Sequence, residues 1–99
     1  MELKSDIILS DLREHKPKLA SFGVNQIGLF GSYVRNEQKP QSDIDILVDF
    51  EPGKETFDNF MNLYDYLEKL FRNKKIEVVT TNGLSPYIGK HILKEVNYV

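Results

Sequence analysis

The 99-residue chain contains no cysteine, no long apolar run and no excess of basic charge. The missing cysteine excludes disulfides, thiolate nucleophiles and cysteine metal sites. No apolar run approaches the roughly 20 residues that a membrane-spanning helix needs, and Met1 to Lys4 are not followed by the apolar core of a signal peptide. We therefore expect a cytoplasmic protein that does not enter a membrane.

The charge balance also bears on nucleic-acid binding. The formal net charge is −2 and the pI is near 5.6, whereas holding many phosphates requires a clustered basic face. The densest basic cluster, Arg72, Lys74 and Lys75, is more typical of a solvated helix end, where cations suit the negative pole of the helix dipole. Direct binding of nucleic acid is therefore not expected.

Length and composition indicate one globular domain spanning residues 1–99, with 40% hydrophobic and 28% charged residues. Apolar residues recur at helical spacing from Asp6 to Phe22. We expect Ser5 to be the N-cap of this helix, Pro17 to kink it or begin a second segment, and Gly23 to end it.

Alternating apolar residues predict three strands, and apolar residues at helical spacing predict two further helices. The strands are Val24 to Phe30, Asp43 to Phe50 and Ile76 to Thr80, and the helices run from Phe57 to about Phe71 and from Ser85 to about Glu95. In the first strand the alternation places Ile27 and Leu29 on one face and Val24 on the other. A final segment, Val96 to Val99, is expected to lie at the sheet edge. The element order predicts an α+β fold with a small mixed β-sheet of three to four strands packed with helices.

The strand that begins at Asp43 carries two carboxylates on one face. Asp43 and Asp45 are two residues apart, so their side chains are about 6 to 7 Å apart along the backbone. At that distance they repel by roughly 2 to 3 kcal/mol at an effective dielectric constant near 20. A divalent cation would compensate for this repulsion, and Mg²⁺ with substrate phosphates in its shell suits such oxygen ligands. An isolated pair of this kind would more often be a solvated strand end.

A Gly-Ser turn closes the preceding strand and changes that balance. Gly31 allows a tight turn and close approach of a phosphate to the backbone, while Ser32 adds a hydroxyl and amides that point at an anion. Arg35, one turn later, could reach the same oxygens. The combination indicates a phosphate site beside a metal site.

These residues resemble a known signature. Gly31 and Ser32, ten further residues, and then Asp43-x-Asp45 look like the motif of the polymerase-beta-type nucleotidyltransferase superfamily. The run GSYVRNEQKPQSDIDILVDF and the tail LSPYIGKHILKEVNYV are similar to those of the minimal nucleotidyltransferases. The resemblance covers nearly the whole chain and implies the nucleotidyltransferase fold.

The resemblance also implies an activity and a set of roles. The reaction would transfer a nucleoside monophosphate, with AMP from ATP as the expected case, to a hydroxyl and release pyrophosphate. Asp43 and Asp45 would hold one or two Mg²⁺ ions, and Glu77 would be the third carboxylate, as metal ligand or base, although the family more often has Asp there. Gly31 and Ser32 would grip the β- and γ-phosphates, with assistance from Arg35 and Ser42.

The family's members further suggest a partner. The resemblance implies an antitoxin that adenylylates a HEPN-domain toxin, so the expected partners are a nucleoside triphosphate and a HEPN-domain protein. The alternative is a non-catalytic module of the same fold that binds a nucleotide or the toxin. Transfer to RNA or to a small molecule is a third possibility, disfavoured by the acidic pI. His15 and His91 are interpreted as surface or core-edge residues.

Overall fold

A computed structural model describes residues 3–99 as four helices and a four-stranded sheet; Met1 and Glu2, at the start of the predicted domain, lie outside this range. The helices are α1 (Ser5–Glu14), α2 (Lys16–Ala20), α3 (Phe57–Leu70) and α4 (Ile88–Glu95). The strands are β1 (Val24–Phe30), β2 (Ile44–Phe50), β3 (Ile76–Thr80) and β4 (Asn97–Tyr98), with a 3₁₀ turn at Thr81–Gly83. None of the helices within residues 3–99 has the length and apolar content required to span a membrane.

The sheet has the strand order β3-β2-β1-β4. Strand β1 is antiparallel to both β2 and β4, while β2 and β3 are parallel. The predicted α+β fold with a small mixed sheet is therefore confirmed, and the expected trailing segment supplies its fourth strand.

Most of the core lies on one face of the sheet, where α1, α2 and α3 cover it. Its central side chains are fully buried: Ile8, Leu12, Ile27, Leu29, Ile44, Ile46, Val48, Leu63 and Leu67. A smaller apolar cluster of Phe30, Leu47 and Ile92 lies on the other face, which α4 covers. Both faces are thus protected from water, and the polar residues of the sheet are left at its ends.

The N-terminal helices follow the prediction except at their start. Helix α1 ends at Glu14 and Pro17 lies in the first turn of α2, so proline does begin a second segment. The assignment of Ser5 as N-cap is wrong: Lys4 holds that position without a side-chain bond, and its carbonyl accepts the amides of Ile7 and Ile8. The burial of Ile8 and Leu12, more than a capping side chain, anchors this end.

A bulge in β1 overturns the predicted face of one residue. The pairing with β2 shifts between Val24 and Gln26, so Asn25 is an extra residue in the ladder. Since one extra residue reverses the alternation, Val24 joins Ile27 and Leu29 in the main core instead of facing away from them. The prediction for Val24 is therefore wrong, while that for Ile27 and Leu29 holds.

Two helix starts and one strand start also refine the sequence-based expectations. Thr56 accepts the Asn59 amide and caps α3, whose start at Phe57 agrees with the predicted helix. Helix α4 begins at Ile88 instead of directly after Ser85, yet the Ser85 hydroxyl still accepts the Ile88 amide. Strand β2 begins at Ile44, so Asp43 lies one residue before the ladder.

Candidate active site

The candidate site lies where the C-terminal end of β1 meets the N-terminal ends of β2 and β3. In the ladders Phe30 is opposite Asp45, and Asp45 is beside Glu77. An open cavity of about 550 Å³ forms here between the sheet end and α4. It is lined by Phe30, Gly31, Arg35, Asp45, Glu77, Val79, Gly83, Leu84, Ser85, Ile88, His91, Ile92 and Glu95. The site thus places the Gly31 turn and the start of β2 next to the C-terminal helix α4.

Asp45 and Glu77 are register partners on the two parallel strands, which places their carboxylates next to each other. Partial burial and the adjacent Glu77 carboxylate raise the pKa of Asp45 to about 6, with a smaller contribution from Asp43; Arg35 acts in the opposite direction. The charged form of Asp45 is thus disfavoured, first because burial removes water from it and second because the Glu77 carboxylate lies close by. Such a pair suits a cation or a proton-transfer role.

Gly31 turns the chain at the end of β1 and packs directly on Asp45. Its φ is +82°, in the left-handed region that favours glycine, and a β-carbon there would overlap the Oδ2 atom of Asp45. After it, the amides of Val34 and Arg35 donate to the Gly31 carbonyl at 3.1 and 3.2 Å, forming a short turn. The turn and the carboxylate therefore hold a fixed relation to each other.

Glu95, in the last turn of α4, takes up the donors of this turn. The Gly31 N–H donates to Glu95 Oε2 at 2.6 Å, and Arg35 Nη1 donates to both carboxylate oxygens of Glu95 at 2.9 and 3.1 Å. Arg35 Nε also donates to Glu37 at 2.8 Å. Two groups predicted to contact phosphate are thus engaged by a carboxylate.

The remaining predicted site residues, Ser32, Ser42 and Asp43, do not line the cavity. Ser32 follows Gly31 and is half-buried, and its carbonyl accepts the Glu37 amide at 2.9 Å. Ser42 Oγ accepts the Lys39 N–H at 2.8 Å, so it orders the loop before β2. Asp43 lies just before the strand and contributes charge near Asp45. The structure therefore brings Gly31, Arg35, Asp45 and Glu77 to the cavity wall, whereas Ser32, Ser42 and Asp43 are not among the residues that line it.

Residues 14–99 match the family model described as Polymerase beta, Nucleotidyltransferase. The chain belongs to the polymerase beta nucleotidyltransferase family. The protein adenylyltransferase MntA of Thermococcus cleftensis is 46% identical over 93 residues, which cover 93% of this chain and 92% of that protein. The family resemblance read from the sequence is confirmed.

Two solved structures extend this likeness. One, described as a minimal nucleotidyltransferase, matches with a TM-score of 0.81 at 27% identity and covers 97% of this chain and 96% of its own. The other, a crystal structure of a toxin-antitoxin with AMP-PNP, matches with a TM-score of 0.63 at 26% identity and covers 97% and 72%. The nucleotidyltransferase fold is therefore shared along nearly the whole length of the chain.

Residues 3–99 contain no group of three His, Cys, Asp or Glu side chains arranged to hold a metal ion. Asp43, Asp45 and Glu77 are therefore not arranged as a three-carboxylate metal site in this structure, but Mg²⁺ is also commonly bound by one or two carboxylates together with substrate phosphates. Asp45 and Glu77 supply two adjacent oxygen donors, and the pKa of Asp45 is raised first by burial and then by the nearby Glu77 carboxylate. These residues fit a Mg²⁺ ion.

Two residues that line this cavity were not predicted from the sequence as site residues. Glu95 was expected only to end a helix, and His91 was interpreted as a surface or core-edge residue, yet both line the cavity wall. No local pattern identifies Glu95, because its partner Gly31 is 64 positions away in the chain. The available signal was the resemblance of the C-terminal tail, which contains both residues.

Proposed function

We propose that this chain is a Mg²⁺-dependent protein adenylyltransferase that transfers AMP from ATP to a hydroxyl of a HEPN-domain toxin. The observation that carries the proposal is the Asp45–Glu77 carboxylate pair beside the Gly31 turn, at the strand ends of a family member. Support comes from the relative named protein adenylyltransferase and from the similar toxin-antitoxin structure with AMP-PNP.

In this reaction the acceptor hydroxyl oxygen forms a bond to the α-phosphorus of ATP. The bond from that phosphorus to the oxygen bridging to the β-phosphorus breaks, and pyrophosphate leaves. The proton of the hydroxyl passes to a carboxylate, for which Glu77 is proposed because it adjoins Asp45 on the cavity wall. Ser32, next to Gly31, is proposed to bind the triphosphate through its hydroxyl and amide.

A Mg²⁺ ion held by Asp45, with Asp43 and Glu77 close by, would neutralise charge on the phosphates. The protein's own contribution is to keep these carboxylates on adjacent strands, where the backbone ladder fixes their separation. The close packing of Gly31 on Asp45 limits how far either can move. Such fixed placement is what phosphoryl transfer requires, since positioning provides much of its catalysis.

A protein acceptor is supported by the surface around the cavity. Ile88 lines the cavity and is 62% exposed, and the neighbouring Tyr87 is 84% exposed. Two adjacent exposed apolar side chains at the rim of a cavity offer a partner an apolar contact, and tyrosine is enriched at protein interfaces. We assign this rim, Tyr87 and Ile88, to contact with the acceptor protein.

The proposal is tested by incubating the protein with α-labelled ATP, Mg²⁺ and a candidate HEPN-domain partner. Label should appear on the partner with the wild type and with Asp49→Asn, a matched change on the same strand outside the cavity. It should be lost with Asp45→Asn. Complex formation without transfer from any nucleotide would overturn the enzymatic proposal.

That outcome would leave a second candidate function, a non-catalytic module that binds the toxin. One observation favours it: Glu95 already engages the Gly31 amide and Arg35, two of the groups predicted to contact phosphate. In this case nucleotide would be absent from the functional complex. Addition of AMP-PNP would then leave the affinity for the partner unchanged.

A further inference from the structure

We propose that Glu95 is a positioning residue of the nucleotide site, which holds the Gly31 turn and Arg35 in place against Asp45 from helix α4; the inference rests on the function proposed above. Nothing in the sequence motif points to this residue. Three observations support this role: the hydrogen bonds of Glu95, the attachment of α4 and β4 to the sheet, and the contact between Gly31 and Asp45.

The contacts are short and involve charge. The Glu95 carboxylate accepts three hydrogen bonds, one from the Gly31 N–H at 2.6 Å and two from Arg35 Nη1 at 2.9 and 3.1 Å. Hydrogen bonds with an ionised partner are shorter and stronger than neutral ones. The Glu95 side chain is 24% exposed, whereas that of Glu37, the other partner of Arg35, is 65% exposed. Glu95 is therefore the better shielded of the two partners, and it also accepts the Gly31 N–H.

Glu95 is also anchored to the sheet that carries Gly31. Ile92, one turn earlier in α4, is buried in the smaller apolar cluster. Directly after Glu95 the chain enters β4, where Asn97 and Tyr98 pair with Leu29 and Gly28 of β1. Gly31 follows β1 within two residues of that pairing. The Gly31–Glu95 hydrogen bond therefore lies next to the pairing of β1 with β4. This pairing holds both residues of the bond in place.

On its far side Gly31 contacts the Asp45 carboxylate, which adjoins Glu77. A displacement of Gly31 would thus change the space available to Asp45. The structure connects Glu95 to the candidate catalytic carboxylates through one backbone turn. Displacements of about 1 Å in such a site can reduce activity on the order of a hundredfold.

A competing role has the opposite consequence for binding. If Glu95 merely occupied the place of a phosphate, the triphosphate would displace it and its removal would tighten nucleotide binding. Displacement would break three charge-assisted hydrogen bonds of a half-buried carboxylate that lies beside Asp45, Glu77 and the phosphates. Because the loss of these bonds and the added repulsion are both unfavourable, the geometry favours the positioning role.

Calorimetric titration with AMP-PNP and Mg²⁺ separates the two roles. We expect Glu95→Ala to weaken AMP-PNP binding about tenfold or more. Glu95→Gln should be intermediate, because its amide oxygen can still accept the Gly31 N–H. Glu37→Ala removes a carboxylate from the same arginine without touching Gly31, and should bind within about twofold of the wild type. Equal or tighter binding by both Glu95 variants would overturn the proposal.

The Gly31 amide provides a second readout that a general loss of stability would not reproduce. In ¹⁵N-resolved NMR spectra this amide should remain protected from exchange in wild type and Glu37→Ala, and lose protection selectively in Glu95→Ala. Protection that persists in Glu95→Ala would contradict the assigned bond. If the wild type itself fails to bind AMP-PNP, the proposed function fails along with the inference. If the wild type binds AMP-PNP and the Glu95 variants bind it equally well, the positioning role alone fails.

Discussion

Gly31 packs so closely on the Asp45 carboxylate that no residue with a β-carbon fits at that position without moving it. This relationship joins the end of β1 to the start of β2 at the point where the candidate carboxylates lie. It also makes glycine necessary for two separate reasons, the positive φ of +82° and the contact with Asp45. The two reasons can be separated experimentally.

Gly31→Ala should lose Mg²⁺-dependent AMP-PNP binding and reduce the free energy of unfolding. The matched control is Gly53→Ala, because Gly53 has a similar φ of +77° but open space where a β-carbon would lie. Backbone strain alone should cost the control about 1 kcal/mol. Gly31→Ala should cost roughly 1 to 3 kcal/mol more, since the new atom must displace Asp45. Chemical denaturation measures both; equal losses would show that the Asp45 contact is unimportant.

The raised pKa of Asp45 predicts a pH dependence of stability in the absence of metal. The folded-state pKa is about 6 against an ordinary value of 3.8, so the folded state holds this proton more tightly. The resulting stabilisation is present below about pH 4 and is lost as pH rises through about 6. Allowing for partial solvent exposure, the loss should be about 1 to 2 kcal/mol.

Asp45→Asn should remove that part of the pH dependence and be more stable than the wild type at pH 7 without metal. Asp49→Asn, on the same strand, is the control for the change of residue type. Urea titrations from pH 4 to pH 8 measure the effect. An unchanged pH profile in Asp45→Asn would refute the assignment of the raised pKa to this group.

Glu77 is predicted to act through its charge. Glu77→Gln should reduce AMP transfer at least about a hundredfold if the residue accepts the hydroxyl proton or holds a cation. Glu77→Asp keeps the carboxylate and should retain measurable transfer, although one methylene shorter. Initial rates of label transfer at saturating ATP compare the variants. A wild-type rate in Glu77→Gln would reduce Glu77 to an exposed strand residue.

The rim of Tyr87 and Ile88 is predicted to contact the acceptor protein. The double change Tyr87→Ser with Ile88→Ser should reduce transfer to the partner about tenfold or more, while AMP-PNP affinity stays within twofold of wild type. Phe57→Ser is the control, because Phe57 is 78% exposed but lies outside the cavity. If the control loses transfer equally, the effect is not specific to this rim.

Periodicity predicted most of the fold because the main-core residues of β2, Ile44, Ile46, Val48 and Phe50, alternate along the strand, and the buried residues of α1 and α3 recur at helical spacing. It gave the wrong face for Val24, because Asn25 is an extra residue in β1. The N-cap predicted at Ser5 was also wrong, because packing sets where α1 begins. Boundaries are set by tertiary contacts that a local window does not contain.

The candidate site was predictable as far as its residues share a strand or a turn. Gly31, Asp45 and the adjacent Glu77 follow from the motif, the alternation and the family resemblance. The Glu95 contact was not, because its partners Gly31 and Arg35 are brought to it only when β4 pairs with β1. Long-range side-chain contacts of this kind have no local signature.

The most direct test of the central claim is the intact mass of the HEPN-domain partner after incubation with ATP and Mg²⁺. The wild-type protein should add one or more adenylyl groups to the partner. Asp45→Asn should add none, although it still folds and binds the partner. A partner mass that stays unchanged with the wild type, or that increases equally with Asp45→Asn, would contradict the assignment of this cavity as the site of AMP transfer.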